Sequence, residues 1–121
     1  MIWGIITAVA FALSALKFVT ARLGNPKADR IAMTVHKYAG SLLIIGTIVH
    51  LTGVWRLRGQ RPVLMIVVGI IMALAVLALL LSHIFSRKLG KKWLVIHRAA
   101  TVVILIGLVI HVLLGITGLS A

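Results

Sequence analysis

Four histidines in this sequence are spaced so that they could bind a metal or a metal-bearing cofactor: His36, His50, His97 and His111. They form two pairs, and in each pair the second histidine follows the first by fourteen positions. At about 100° and about 1.5 Å per residue, fourteen positions return a helix to within about 40° of the same direction after a rise of about 21 Å. Both histidines of a pair therefore lie on one stripe of one helix, far apart along its axis.

The spacing of these histidines and the other residues of the chain limit which metal or cofactor they could bind. A separation of about 21 Å within a pair excludes one four-histidine metal site. Zinc or copper held by two histidines would lack further ligands, because the apolar segments contain no carboxylate and the chain contains no cysteine. Haem brings four ring nitrogens and needs only axial ligands. Without cysteine any haem must be held non-covalently, as haem b is. The alternative is that neutral histidines simply hydrogen-bond between helices.

The elements that must position the histidines are four apolar runs. The chain is 62% hydrophobic and only 12% charged, with a mean hydropathy of +1.21, whereas about a quarter of a soluble domain is charged. Each run reaches the roughly 20 residues that a membrane-spanning helix needs. We therefore predict an all-α integral membrane four-helix bundle, one domain over residues 1–121, with helices at about 2–21, 31–55, 62–85 and 92–119. The first run lacks a basic start, so we expect a retained helix and not a cleaved signal peptide.

The two halves of the chain resemble each other as two repeated helical hairpins. Residues 45–50 align with residues 106–111 at an offset of 61, and the same offset maps His36 onto His97. Because the second and fourth helices are separated by one span, they should run in the same direction. The earlier histidines then share the inner side of the membrane and the later ones the outer side. The sequence thus predicts two haems, held by His36 with His97 and by His50 with His111.

The charges of the chain favour a membrane over a nucleic acid as its partner. The chain contains thirteen Lys and Arg residues but a single acidic residue, Asp29, and the basic residues lie mostly at the ends of apolar runs. The first and third connections carry most of them: Arg22, Lys27, Arg30, Arg87, Lys88, Lys91 and Lys92. The positive-inside rule predicts that these connections are cytoplasmic and that both termini are outside, in a bacterial inner or plasma membrane.

Further residues beside the paired histidines are candidates for binding the haems. Gly46 and Gly107 each lie one turn before an outer ligand, where a missing side chain would let a macrocycle approach; helix packing through small residues explains them equally well. Lys37 and Arg98 follow the inner ligands and could pair with haem propionates, or could simply reach the membrane surface. His83, near the inner end of the third helix, is a candidate quinone or haem-edge contact, although a cross-helix hydrogen bond is the simpler role.

Hydroxyl side chains near the ligands could orient the imidazole rings. Ser41, Thr47 and Thr101 are placed on the ligand-bearing helices, and metal-binding histidines usually donate their second N–H to a nearby acceptor. A backbone carbonyl oxygen would serve this purpose as well. The sequence leaves both kinds of acceptor open.

With these residues placed, the chain resembles the dihaem membrane cytochromes b. It looks closest to the N-terminal four-helix bundle of the cytochrome b of Rieske/cytochrome b complexes, where the second and fourth helices each carry two ligands at about this separation. It is also similar to ferric-reductase-type transmembrane domains. The residues that carry the resemblance are the four paired histidines, with Gly46 and Gly107 in support. We expect neither the quinol-oxidising motif nor the nucleotide-binding domain of these families after the fourth helix.

The resemblance implies transmembrane electron transfer, with the chain as the membrane cytochrome b subunit that links a quinone pool to a redox partner. Filled axial positions would leave no open iron site, which favours a non-catalytic relay over an enzyme. The alternatives are a small transmembrane ferric or acceptor reductase and a haem-free structural anchor of a larger complex. We expect membrane lipid and either other redox subunits or a homo-oligomer mate as partners, with quinone as a further candidate.

Overall fold

The computed structural model of the chain describes residues 2–117, and these residues contain helices and no strand. Five α-helices follow one another: α1 (Ile2–Leu23), α2 (Pro26–Arg56), α3 (Val63–Ile84), α4 (Ser86–Leu89) and α5 (Lys92–Thr117), with a 3-10 turn at Arg58–Gln60. Among them, α1, α2, α3 and α5 are long and apolar enough to cross a membrane. The predicted all-α fold class is confirmed, and four such helices are consistent with an integral membrane four-helix bundle.

The second helix begins five residues earlier than the apolar pattern predicts. The side-chain Oδ1 of Asn25 accepts hydrogen bonds from the backbone N–H groups of Lys27 and Ala28, at 3.1 and 3.2 Å, and so caps the helix. Pro26 occupies the first turn, where its missing N–H does no harm. Gly24 makes the preceding turn with φ +68°, in the left-handed region that favours glycine. Polar residues 26–30 therefore belong to α2.

The other helix ends lie within two residues of the predicted ones. α1 continues to Leu23, α3 covers Val63–Ile84 after Pro62, and α5 begins at Lys92. The expected end of the fourth helix at residue 119 lies outside the described residues. The chain divides into two compact units, Met1–Val54 and Trp55–Ala121, each built around one long hairpin. The prediction of a single domain over residues 1–121 stays a prediction.

The first hairpin packs α1 against α2 and is fastened near its connection by polar contacts. The Lys17 ammonium forms an ion pair with the Asp29 carboxylate, and the Thr20 hydroxyl donates to the same carboxylate oxygen at 3.2 Å. Since α1 contributes Lys17 and Thr20 while α2 contributes Asp29, these contacts join the end of one helix to the start of the next. The single acid of the chain is therefore used inside this hairpin.

The second hairpin packs α3 against α5 and repeats the buried pattern of the first. An offset of 65 relates α1 to α3, and the offset of 61 already seen in the sequence relates α2 to α5. The buried residues that correspond at these offsets are Ala10 with Ala75, Phe11 with Val76, Ala39 with Ala100, Leu43 with Ile104, and Gly46 with Gly107. The repeat in the sequence is thus also a repeat in which residues each hairpin buries.

Candidate functional site

The four paired histidines all lie within the long helices and are all half-buried. α2 carries His36 and His50, and α5 carries His97 and His111. Each pair therefore lies on one continuous helix, as its spacing predicts, with a rise of about 21 Å between its members. The fifth histidine, His83, is exposed near the end of α3. Burial thus separates the paired histidines from the unpaired one.

In the first hairpin the imidazole of His36 is oriented by the main chain of α1. Its Nδ1 lies 2.9 Å from the backbone carbonyl oxygen of Ser14. A carbonyl oxygen can only accept, so Nδ1 carries the hydrogen and donates it. In the neutral ring the lone pair then belongs to Nε2. This is the protonation state of an imidazole that ligates a metal through Nε2 and donates its other N–H to a backbone carbonyl.

In the second hairpin His97 meets a serine side chain at the corresponding place. Its Nδ1 lies 3.5 Å from Ser82 Oγ, and the Ser82 hydroxyl donates to the carbonyl oxygen of Leu79 at 2.8 Å. Because the hydroxyl hydrogen is used on Leu79, Oγ accepts from the Nδ1–H of His97. Leu79 corresponds to Ser14 at the offset of 65, so Ser82 lies between the equivalent carbonyl and the equivalent histidine. Trp93 adds an edge-on ring contact with His97 at 5.8 Å between centroids.

The later histidine of each pair lies against a glycine of the neighbouring helix. A Cβ atom built on Gly4 would come within 3.1 Å of Cε1 and 3.3 Å of Nδ1 of His50. A Cβ on Gly69 would lie 3.8 Å from Cε1 of His111, which is an ordinary contact distance. Gly4 and Gly69 correspond at the offset of 65. Both hairpins therefore place a glycine beside the imidazole, and the fit is tighter in the first.

Gly46 and Gly107 are buried against side chains of their own hairpin. A Cβ on Gly46 would lie 2.6 Å from Thr7 Oγ1, and a Cβ on Gly107 would lie 2.6 Å from Cγ of Met72. Thr7 and Met72 again correspond at the offset of 65. A side chain of the neighbouring helix fills the space that each glycine leaves. These contacts are what we expect if the two glycines serve helix packing. A role in packing against haem stays a prediction for both.

The hydroxyl groups on the ligand-bearing helices are used within their own helices. Ser41, Thr47 and Thr101 donate to the carbonyl oxygens four residues earlier, those of Lys37, Leu43 and His97, at 3.1, 2.7 and 2.8 Å. Such bonds are common for Ser and Thr inside helices, since the carbonyl one turn back is always within reach. The acceptors for the two inner imidazoles come from α1 and α3 instead.

The cationic and histidine candidates near His36 and His97 are exposed. Lys37 and Arg98 each follow their histidine by one position and lie on the surface of their helices. His83 lines a cavity of about 430 Å³ in the second unit, together with Ser86, Arg87, Gly90 and Trp93. Their predicted contacts with propionates and with quinone stay predictions.

These surroundings fit a cofactor that asks the protein for axial ligands alone. Within residues 2–117, no three His, Asp or Glu side chains come together as a group that could hold a metal ion. His36 and His97 are oriented as Nε2 ligands would be, and the four rings are neither fully buried in the hairpins nor fully exposed. Histidines of this kind suit haem, whose iron already has four nitrogen ligands. The pairings His36–His97 and His50–His111 would join the two units and stay predictions.

Sequence reasoning missed the residues of α1 and α3 that contact the histidines. These are Ser14, Ser82, Gly4 and Gly69. A signal was available for the two glycines, because Gly4 and Gly69 are separated by the same offset of 65 that relates α1 to α3. Ser14 acts through its backbone, so no residue type could reveal it. Comparison of the chain with protein-family models, curated proteins and solved structures found no match.

Proposed function

We propose that this chain transfers electrons across a membrane through two bis-histidine haems b, as the membrane cytochrome b subunit that links a quinone pool to a redox partner. His36 and His97 would be the axial ligands of the inner haem, and His50 and His111 those of the outer haem. Each haem would supply a one-electron couple in the membrane interior. The iron atoms would have no open position, so the chain would act as a relay and not as an enzyme by itself.

One observation carries this proposal: two hairpins surround their histidines in the same way. At fixed offsets, each earlier histidine has its Nδ1 hydrogen-bonded by the neighbouring helix, and each later histidine lies against a glycine. Ionisable residues inside membrane spans are costly and usually functional. A purely structural role explains one such histidine but gives no reason for two matched pairs of environments. Two equivalent ligand sets for two haems supply that reason.

The neighbouring residues would orient the ligands and adjust their strength. A hydrogen bond from Nδ1 fixes the plane of the imidazole and makes Nε2 a stronger donor to iron. Ser14 supplies this bond through its carbonyl oxygen, and Ser82 through its hydroxyl. Gly4 and Gly69 leave room for the rings of the outer ligands. The exposed cations Lys37 and Arg98 would pair with the propionates at the inner side.

The distribution of charge supports the proposed orientation in a bacterial inner or plasma membrane. The connection between α3 and α5 carries four cations, Arg87, Lys88, Lys91 and Lys92, and the connection between α1 and α2 is also basic. These connections would face the cytoplasm, with both termini outside. The short connections offer little surface of their own, so we infer that other redox subunits or a second copy of the chain complete the working assembly.

Electron transfer can be tested with the protein reconstituted in lipid vesicles that enclose ferricyanide, with dithionite added outside. The proposal predicts that haem-loaded protein accelerates bleaching of the enclosed ferricyanide, and that His36→Ala and His50→Ala each abolish the acceleration. Equal rates with and without protein would contradict it. A ferric or acceptor reductase would instead reduce its acceptor in detergent solution with steady turnover, and a haem-free anchor would remain colourless when haem is added.

A further inference from the structure

The end of the second hairpin contains a cavity that none of the four proposed axial ligands lines. It has a volume of about 430 Å³ and is lined by His83, Ser86, Arg87, Gly90 and Trp93. The cavity is wide open, so it suits a ligand that lies along the surface of the hairpin with only part of its atoms inside. Its lining combines a permanent cation, a hydroxyl, an imidazole and an indole. This composition suits a ligand with one anionic group and an apolar part.

The cation in this cavity has no acidic side chain of the chain available to it. Asp29 is the only acidic residue of the sequence, and its carboxylate forms an ion pair with Lys17 in the first hairpin. Residues 85–92 meanwhile carry four cations and no acid. An acidic side chain of this chain is therefore not available to Arg87, and an anionic ligand would supply its partner.

The cavity lies where lipid headgroups would be. His83 is in the last turn of α3, and Trp93 is in the first turn of α5, and both helices are long and apolar enough to cross a membrane. The connection between two spans lies at the membrane surface, where Trp side chains are typical and where anionic lipids attract basic segments. The ligand expected at this depth is a phospholipid.

We propose that this cavity binds the phosphate group of an anionic phospholipid. The Arg87 guanidinium would pair with the phosphate oxygens, for which its planar fork of N–H groups is suited. The Ser86 hydroxyl and the His83 ring would donate further hydrogen bonds, and Trp93 would lie along the glycerol and upper acyl chain. None of the lining residues is itself a proposed axial ligand, although Trp93 contacts His97, so lipid binding and haem binding can be measured separately.

The charge of the site distinguishes an anionic lipid from other membrane ligands. A neutral quinone has no net charge, so its electrostatic attraction to the Arg87 guanidinium and to the surrounding lysines is weak. A zwitterionic phosphatidylcholine offers the same phosphate but brings a quaternary ammonium into a cluster that is already cationic, which costs Coulomb energy. The cluster therefore selects a lipid whose only headgroup charge is negative, such as phosphatidylglycerol.

Quenching of Trp93 fluorescence by brominated lipids tests the proposal directly. Trp3→Phe and Trp55→Phe leave Trp93 as the single tryptophan. Because haem bound at His97 would quench the adjacent Trp93, the protein is used without haem. It is reconstituted in phosphatidylcholine with rising fractions of brominated phosphatidylglycerol or, in parallel, brominated phosphatidylcholine. We expect phosphatidylglycerol to bind beside Trp93 with about fivefold higher affinity than phosphatidylcholine, as measured by quenching. This factor corresponds to about 1 kcal/mol, the value for one charge near the membrane surface.

Two variants separate the cavity from the general charge of the connection. Arg87→Gln removes the lining cation, and Lys91→Gln removes an exposed cation of the same connection that does not line the cavity. The preference should disappear in Arg87→Gln and persist in Lys91→Gln, with helical circular dichroism unchanged in both. Equal losses in the two variants, no preference in the parent, or abolition of the preference by inorganic phosphate in the buffer would each overturn the proposal.

Discussion

The Nδ1 nitrogen of His36 donates a hydrogen bond to the backbone carbonyl oxygen of Ser14 across 2.9 Å, and so joins α2 to α1 at a candidate ligand. The corresponding contact in the second hairpin runs from His97 to the hydroxyl of Ser82 at 3.5 Å. One contact depends on the main chain and the other on a side chain. Mutation can therefore remove the second while leaving the first in place.

Ser82→Ala should lower the affinity for the haem that His97 is proposed to bind, because the Nδ1–H of His97 loses an acceptor. Outer-shell partners of this kind typically change ligand binding about tenfold or more. The imidazole would also become a weaker donor, so the midpoint potential of that haem should rise. Haem titration and spectroelectrochemistry of the purified variant measure both effects.

The matched control for Ser82 is Ser14→Ala, which keeps the backbone carbonyl that His36 uses. The Ser14 hydroxyl is buried and has no hydrogen-bond partner in the described part of the chain, so its removal should not lower the stability. Ser82→Thr should restore the parent potential. A rise in potential of the same size in Ser14→Ala and Ser82→Ala would exclude the proposed role of Ser82.

Gly4→Ala should disturb the outer haem, because the added Cβ would lie 3.1 Å from Cε1 of His50. Crowding of this kind costs about 1–3 kcal/mol in a packed interior, and the ring of the ligand must move to relieve it. Gly69→Ala places its Cβ 3.8 Å from Cε1 of His111 and should be tolerated. Haem affinity and the low-spin electron paramagnetic resonance signal of each variant provide the readouts. Equal effects of the two substitutions would mean that the contact with His50 does not matter.

The two interpretations of Gly46 can be separated by a compensating substitution. Gly46→Ala would place a Cβ 2.6 Å from Thr7 Oγ1, so it should destabilise the first hairpin by about 1–3 kcal/mol. Removing that hydroxyl with Thr7→Ala leaves only the Thr7 Cβ, at 3.6 Å, and the double variant should regain stability. Thermal unfolding in detergent measures this recovery. If the double variant is stable but binds one haem fewer, Gly46 also contacts haem.

The proposed pairing of ligands predicts which histidine substitutions are redundant. His36→Ala and His97→Ala should each lose the same haem, and combining them should cost no further haem, because one missing axial ligand already empties the site. His36→Ala combined with His50→Ala should lose both haems. Haem content per chain and the number of redox waves distinguish these outcomes. Loss of both haems in the His36→Ala, His97→Ala double variant would show that the pairing is wrong.

The helical class and the placement of the histidines could be predicted because they follow from local properties. Long apolar runs must be helical in a membrane, and fourteen residues of helix fix the relation between His36 and His50. The start of α2 could not be predicted from hydropathy, because capping by Asn25 extends the helix through polar residues. The type of each element was therefore more predictable than the position at which a helix begins within a polar segment.

The contacts between helices were harder to predict for a different reason. α1 is apolar around most of its circumference, so its sequence does not show which face meets α2. Once the helices are packed, Gly4 and Ser14 lie at His50 and His36, while Ser41 and Thr47 bond within their own helix. A hydroxyl on the same helix was an obvious candidate acceptor for an imidazole N–H. In the folded chain these hydroxyls instead donate to the carbonyl oxygen one turn earlier in their own helix.

The most direct test of the central proposal is a count of haem per chain in the detergent-purified protein by the pyridine haemochrome assay. We predict two haems b per chain, with a low-spin bis-histidine spectrum. A protein that is colourless as purified and takes up no added haem would contradict the electron-transfer proposal and would favour the structural anchor.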